Sequence, residues 1–473
     1  MHRIKYYIAF YIAKLVKLGL KIIKRDATYL PGKIAVTICP DFIGQIDKPE
    51  TIICVTGTNG KTTVCNMIND VLEDNKIEVL NNRLGSNINA GIASSLIDGA
   101  SLSGKQKKKL AVFEVDERSS KKIYPYMKPN YIVCTNLFRD SIKRNAHTEF
   151  IASILNEAIP KDTKMILNGD DLISSNIAPN NDRVYFGINR LDTDTKEAQN
   201  IVRDIIVCPK CNHKLEYDYV RYNHIGKAHC TNCDFASPKV DYLVTNLDFE
   251  KMNMTLVHNE EKIEYPLVSN NIINIYNMLA MITVLKEFGI EEDKLIKSIS
   301  KLKIVETRFS EENIDGIKVI MHLAKGQNPI ACSRVFDYVK KEEGKKAVIL
   351  LLDDLHEAVN SSENVTWLYD TDFEFLKEEN ICQIVVGGAR YLDDKVRLLM
   401  AGIEEEKIIC MREEKEVANN VMLEGIDKIF ILHDLYAFDL AKKVKEKIRH
   451  RIEEKKEGGK GQNEDWNIIS RVL

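Results

Sequence analysis

The sequence predicts an α/β protein with a central domain built around a phosphate-binding loop, a four-cysteine ribbon inserted into it, and a Rossmann-like C-terminal domain. Three observations carry that reading. From Thr51 the chain alternates short β-branched runs with helical patterns, as a parallel sheet with crossover helices requires. The run TIICVT leads straight into GTNGKTT and then into an amphipathic helix pattern. Two CxxC pairs break the rhythm between about residues 201 and 238, and the βα alternation restarts in the last third.

Size and composition agree with this architecture. At ~150 residues per domain, 473 residues imply about three domains. Apolar residues make up 44% and charged residues 29%, which excludes wholesale disorder. Lys plus Arg is 67 against Asp plus Glu 70, a net charge of −3 that argues against a dedicated nucleic-acid binder. Eleven cysteines do not read as a secreted disulfide framework and suit a reducing cytoplasm.

Residues 1–48 read as an N-terminal helical segment. Lys14, Lys17, Lys21 and Lys24 interrupt its apolar run too often for a membrane span, and no small-residue cleavage site follows. A basic edge beside a broad apolar face is the pattern of a membrane-surface helix. Packing on its own domain is the favoured reading, so the expected location is the cytoplasm, with peripheral membrane contact as the alternative.

The central domain is placed at 49–303. Strands are expected at 51–56, 110–116, 131–136 and 164–168, with 101–109 as a solvated loop. Val64, Met67, Ile68, Val71 and Leu72 share one face of the helix after the glycine-rich loop. After the cysteine pairs, YLVTNLDFE and MNMTLVH read as antiparallel strands, and 271–290 as a helix. In the C-terminal domain, 304–451, strands are expected at 318–324, 347–354, 382–388, 407–410 and 428–434, forming a second Rossmann-like unit. Residues 452–473 read as a charged, glycine-bearing tail.

Gly57, Thr58, Asn59, Gly60, Lys61, Thr62 and Thr63 sit between a predicted strand and a predicted helix, where backbone N–H groups and the helix dipole favour phosphate. Lys61 can reach the β- and γ-phosphates of ATP, and the Thr62 hydroxyl can ligate Mg²⁺. The generic P-loop wants a glycine where Val55 stands, so the match to it is incomplete. Mg²⁺ also needs a carboxylate. Glu114 and Asp116 are two residues apart at a strand end, so alternation points both to one face. Glu114 is preferred because it lies inside the strand, and Asp116 reads better as a helix cap.

Cys208, Cys211, Cys230 and Cys233 form two CxxC pairs separated by 18 residues, inside the window of a zinc ribbon. Four thiolates leave no open position, so the zinc would be structural. His213, His224 and His229 are nearby substitutes that the paired spacing makes unnecessary. The other cysteines read as core or loop thiols, and no catalytic thiol is expected in this chain.

The run TGTNGKTT is the P-loop form of the Mur ligase superfamily, which the sequence resembles. LNGDD (167–171), IYNMLA (275–280) and ETRF (306–309) follow in the family's order. RDATYLPGKIA (25–35), NLFRD (136–140) and the cysteine insertion make it most similar to the Mur-ligase-like, MurT-type subunits of lipid II isoglutaminyl synthase.

The resemblance implies a Mur-ligase-like fold, with Asn277 approaching the nucleotide and Arg308 contacting ATP phosphates. It implies an ATP-dependent carboxylate–amine ligase that amidates the D-glutamate α-carboxylate of lipid II at the inner membrane surface, through an acyl phosphate. Ammonia would come from a separate class I glutamine amidotransferase subunit. Lys61 and Glu114 would serve the synthetase chemistry. Asp354, at the end of LLLDD, would complete the glutaminase's Cys–His pair, with a solvated capping aspartate as the competing reading.

There are departures from the family pattern. Ser141 stands where a murein ligase has a metal-binding histidine, and Leu323 where many relatives are acidic, although Lys325 and Asn328 are kept. LHEAVNSSENVTW, after LLLDD, is longer than the amidating subunit leads one to expect. The alternatives are a Mur-type ligase adding an amino acid, and a non-catalytic nucleotide- and zinc-binding scaffold.

Overall fold

The computed structural model describes residues 2–140, 147–303, 309–353 and 364–469. The chain forms two compact units. The first comprises 2–138, 147–199 and 203–303, and the second the remaining described residues.

In the first unit the strands are β1 (Thr51–Thr56), β2 (Val79–Asn81), β3 (Leu110–Glu114), β4 (Tyr131–Cys134), β5 (Lys164–Asn168) and β6 (Arg183–Ile188). A separate antiparallel hairpin, β7 (Leu215–Tyr222) and β8 (Ile225–Cys230), carries the cysteine segment. Then come β9 (Tyr242–Asp248), β10 (Asn253–His258) and β11 (Glu261–Pro266). Apart from the hairpin they form one nine-stranded sheet, ordered β11-β10-β9-β6-β5-β4-β1-β3-β2.

β1 to β6 run parallel, and β1 is fully buried beyond Thr51, as a central strand of a sheet covered on both faces should be. The antiparallel strands expected after the cysteines are present. They extend the same sheet, because β9 pairs parallel with β6 and antiparallel with β10. β2, β6, the β7–β8 hairpin and β11 are not among the strands expected from the sequence. β2 is only three residues long, and β11 (EKIEYP) has charges where a strand signal would need apolar residues.

The periodic helix runs Ile272–Phe288 and is buried through its middle on every side, so it is a core element rather than a surface one. The Asn271 side chain accepts from the Ile273 N–H at 2.9 Å, a cap worth about 1 kcal/mol. Gly289 ends the helix at φ +101°.

In the second unit the strands are β12 (Phe309–Ile314), β13 (Ile317–Leu323), β14 (Lys346–Leu351), β15 (Ile381–Gly387), β16 (Ile408–Met411) and β17 (Lys428–His433). Their order is β12-β13-β17-β14-β15-β16, parallel except for the β12–β13 hairpin. β14 is buried at all six residues, and core clusters cover both sheet faces. The last helix runs Phe438–Ile469.

Candidate functional site

β1 lies between β4 and β3, so the chain leaves it toward both sides of the sheet. Such a switch point opens a crevice at the carboxyl ends of the strands, and Gly57 to Thr63 emerge there. Gly57 and Gly60 have φ of +122° and +88°, a left-handed backbone that glycine adopts at low cost. A Cβ on Gly57 would strike the Thr135 hydroxyl and the Asn136 carbonyl, and one on Gly60 would strike the Asn277 amide. The structure therefore brings buried Asn277 against the loop at Gly60.

The loop is held by the strand end that follows β4. Thr58 N–H donates to the Asn136 carbonyl at 2.9 Å, and Asn59 N–H to the Asn136 side chain at 3.0 Å. The Thr58 hydroxyl donates to the Phe138 carbonyl at 3.0 Å, and the Phe138 N–H donates back to that hydroxyl at 2.9 Å. Asn59 Nδ2 is buried and has no hydrogen-bond partner among the described residues, which leaves a donor for a ligand at the loop.

Lys61 begins the helix Lys61–Asp74 and folds back over the loop. Its Nζ donates to the Gly57 carbonyl and, at 2.8 Å, to Glu117 Oε1, which also accepts from Gly57 N–H at 3.1 Å. Burial works against the Lys61 charge, but the Glu117 carboxylate outweighs it and holds the ammonium above its ordinary range. Burial likewise raises the Glu117 carboxyl, against the pull of Lys61. Glu117 is not among the residues that sequence reasoning singles out. It lies in the short 3-10 turn Glu117–Ser119, past the end of β3, where strand alternation no longer applies.

Glu114 ends β3 beside Thr62. Its Oε2 accepts from the Thr62 hydroxyl at 2.7 Å and its Oε1 from Asn87 Nδ2 at 2.9 Å. Asn82 clamps the Glu114 backbone from both sides, bonding its N–H and its carbonyl at 2.9 Å each. A hydroxyl and a fixed carboxylate in contact are the donor set that Mg²⁺ takes beside nucleotide phosphates. Asp116 instead accepts from the Ser119 N–H at 3.1 Å as a turn cap. In LNGDD, Asp171 receives the Leu137 N–H at 2.8 Å and faces His224 Nε2 at 3.1 Å. It thereby braces the segment that braces the loop.

The four Sγ atoms of Cys208, Cys211, Cys230 and Cys233 lie within 4.8 Å of one another. Lys210 N–H and Asn232 N–H point at the sulfurs of Cys208 and Cys230, both at 3.4 Å. Amides directed at sulfur stabilise thiolate, and the His213 backbone pulls the Cys211 thiol down. At Cys233 the pull of the Phe235 backbone is overcome by burial and the three neighbouring sulfurs, which push the thiol up. The chemistry and spacing fit a closed tetrahedral zinc site. His224 is occupied by Asp171, and His229 pairs with Asp218 at 3.2 Å. The cysteines elsewhere are buried or half-buried, and burial pushes Cys39 and Cys410 up to about 11.

Arg308, Asp354 and Ser141 lie outside the described residues. Asp353, next to Asp354, is buried at the end of β14 and accepts from the Ala389 N–H. Asn328 caps the helix Pro329–Lys341 through Ala331 N–H at 2.9 Å and donates to Asp140 Oδ1 at 3.0 Å.

A P-loop at the switch point of a mixed nine-stranded sheet, followed by a second Rossmann-like unit, defines a protein of the Mur ligase class. A solved structure of a pseudomurein peptide ligase type C from Methanothermus fervidus shares the fold, with TM-score 0.62 and 19% identity over 87% of this chain and 81% of that one. Residues 55–285 match the Mur ligase middle domain family and residues 325–438 the MurT ligase C-terminal family.

Over 420 residues the chain is 30% identical to the lipid II isoglutaminyl synthase (glutamine-hydrolyzing) subunit MurT of Staphylococcus aureus strain COL, covering 88% of this chain and 93% of that one. The MurT subunit of Streptococcus pneumoniae strain ATCC BAA-255 / R6 is 28% identical over 411 residues, 85% of this chain and 89% of that one. The chain belongs to the MurT family.

Proposed function

We propose that this chain is the ATP-dependent synthetase subunit of a lipid II isoglutaminyl synthase, converting the D-glutamate α-carboxylate of lipid II to the carboxamide. The observation that carries the reading is the match to MurT subunits along nearly the whole of both chains, coinciding with an intact loop in which Thr62 and Glu114 touch. In this reading the substrate carboxylate takes the γ-phosphoryl group of ATP, giving an acyl phosphate and ADP. Ammonia then adds to the acyl carbon and phosphate leaves.

The loop amides of Gly57 to Thr63 and the helix that Lys61 begins would cradle the phosphates. Lys61 and Arg308 would offset the charge that develops on the transferring group. Thr62 and Glu114 would hold Mg²⁺, which supplies further positive charge there. Glu117 keeps Lys61 charged and aimed across the loop until phosphate replaces it as partner. Asn277 would bound the nucleotide on the Gly60 side. The four cysteines would hold a structural zinc that fixes the β7–β8 hairpin. Ammonia would be delivered by a separate class I glutaminase subunit, to whose catalytic pair Asp354 would contribute a carboxylate.

The test is to incubate the purified chain with lipid II, ATP, Mg²⁺ and ammonium and to analyse the lipid by mass spectrometry. Conversion of one carboxylate to a carboxamide, dependent on ATP, supports the reading. Incorporation of an amino acid would make the chain a ligase of the other kind.

A further inference from the structure

The N-terminal helix, His2–Ile22, has two apolar faces, and among the described residues only one of them is packed in a core; on the other, the Tyr11 hydroxyl donates to the Leu102 carbonyl at 3.2 Å. Tyr6, Ala9, Phe10 and Ala13 are buried in the core of the first unit at 7% exposure or less. Their spacing is the i, i+3, i+4, i+7 of a single helical face. On the opposite face stand Ile4, Ile8, Tyr11, Leu15, Leu18 and Ile22, each between 46% and 74% exposed. At about 100° per residue these six fall in a stripe about 80° wide that runs the full length of the helix, ~30 Å. Scattered exposed apolar residues are ordinary, but a continuous stripe on one helix marks an interaction surface.

The charge around the stripe identifies the partner. The first 25 residues contain seven Lys or Arg and no Asp or Glu. Two of these lysines secure the helix to its own unit: Lys14 Nζ donates to the Ala100 carbonyl, and Lys17 pairs with Asp98. Arg3, Lys5, Lys21, Lys24 and Arg25 are exposed. A second copy of the chain docking by this face would bring like charges together across a two-fold axis. A bilayer with anionic headgroups instead takes an apolar stripe into its acyl boundary and the basic residues at its surface. No described helix is long and apolar enough to cross a membrane, and with one face packed in the core this helix can only lie flat.

We propose that the exposed face of the N-terminal helix seats this protein on an anionic lipid surface. The inference rests on the helix alone and stands whether or not lipid II is the substrate.

The test is co-sedimentation of the full chain with vesicles of phosphatidylglycerol mixed with phosphatidylcholine, and with phosphatidylcholine alone. Binding to the anionic vesicles that weakens with salt is expected. Leu15→Glu combined with Leu18→Glu should abolish it, and Lys21→Glu with Lys24→Glu should weaken it by about tenfold or more. All four positions are exposed or at the helix surface, so thermal unfolding and ATP binding should match the wild type. Failure of the wild type to bind anionic vesicles would overturn the proposal. So would undiminished binding by the folded Leu15→Glu, Leu18→Glu protein, or a concentration-dependent dimer that this variant dissolves in the absence of vesicle binding.

Discussion

Lys61→Ala separates the catalytic from the structural part of the loop lysine. The structure buries its side chain to 14% exposure and its partner Glu117 to 2%. Truncating Lys61 therefore leaves a buried carboxylate without its cation, with the Gly57 N–H still donating to it from 3.1 Å away. Breaking a buried pair in this way costs about 3–5 kcal/mol. Protonation of Glu117, whose affinity for a proton burial already raises, brings the cost to about 2–3 kcal/mol.

For a unit of this size that is a fall in melting temperature of roughly 4–8 °C. Adding Glu117→Gln removes the stranded charge and should recover most of that loss, while ATP turnover stays down by about 10³-fold because the phosphate-facing cation is still absent. Scanning calorimetry and phosphate release on the two variants give both numbers. An unchanged melting temperature in Lys61→Ala, or no recovery in the double variant, would refute the coupling. Wild-type turnover in either would remove Lys61 from the mechanism.

Glu114→Gln keeps the Thr62 and Asn87 contacts available but removes a negative Mg²⁺ ligand. It should raise the Mg²⁺ needed for turnover by about 100-fold or more, since even outer-shell losses cost 10–100-fold, whereas Asp116→Asn should leave turnover near wild type. Cys208→Ser should lower the zinc found by elemental analysis and loosen the β7–β8 hairpin, with a smaller effect on ATP binding; zinc-free wild-type protein would contradict the cluster. Burial, with Asp353 adding to it, pushes the Glu414 carboxyl up to about 7, so its contribution to stability is full below its unfolded value and fades as pH rises through 7. Glu414→Gln should flatten that decline by about 1–2 kcal/mol in pH-dependent denaturation. Asp354→Asn should spare amidation with ammonium and cut amidation with glutamine and the partner subunit; equal loss with both nitrogen sources would place Asp354 in the synthetase site.

What was legible in the sequence was local or fixed by spacing. β1, the loop and the helix after it are contiguous, so periodicity and glycine placement identified them together. The cysteine pairs announce a shared site through their interval, and the structure gathers them within 4.8 Å. Glu114 was reachable because the strand run reads through it, and two-residue spacing puts it on one face with Asp116.

The residues that finish the site were not reachable in this way. Glu117 sits three residues beyond Glu114 in a turn whose direction no strand rule gives. Asn82 and Asn87 come from the segment after β2, a strand too short to read, and meet Glu114 only through sheet pairing between β2 and β3. Asn136 was seen as part of NLFRD, but its grip on the loop depends on β4 lying beside β1.

In the proposed reaction ATP activates a substrate carboxylate before nitrogen attacks. Lipid II carrying heavy oxygen in the D-glutamate α-carboxylate tests this most directly, with the chain, a class I glutaminase subunit, glutamine, ATP and Mg²⁺ in one reaction. One labelled oxygen per amide formed is expected in inorganic phosphate. Phosphate free of label while the amide accumulates would contradict it.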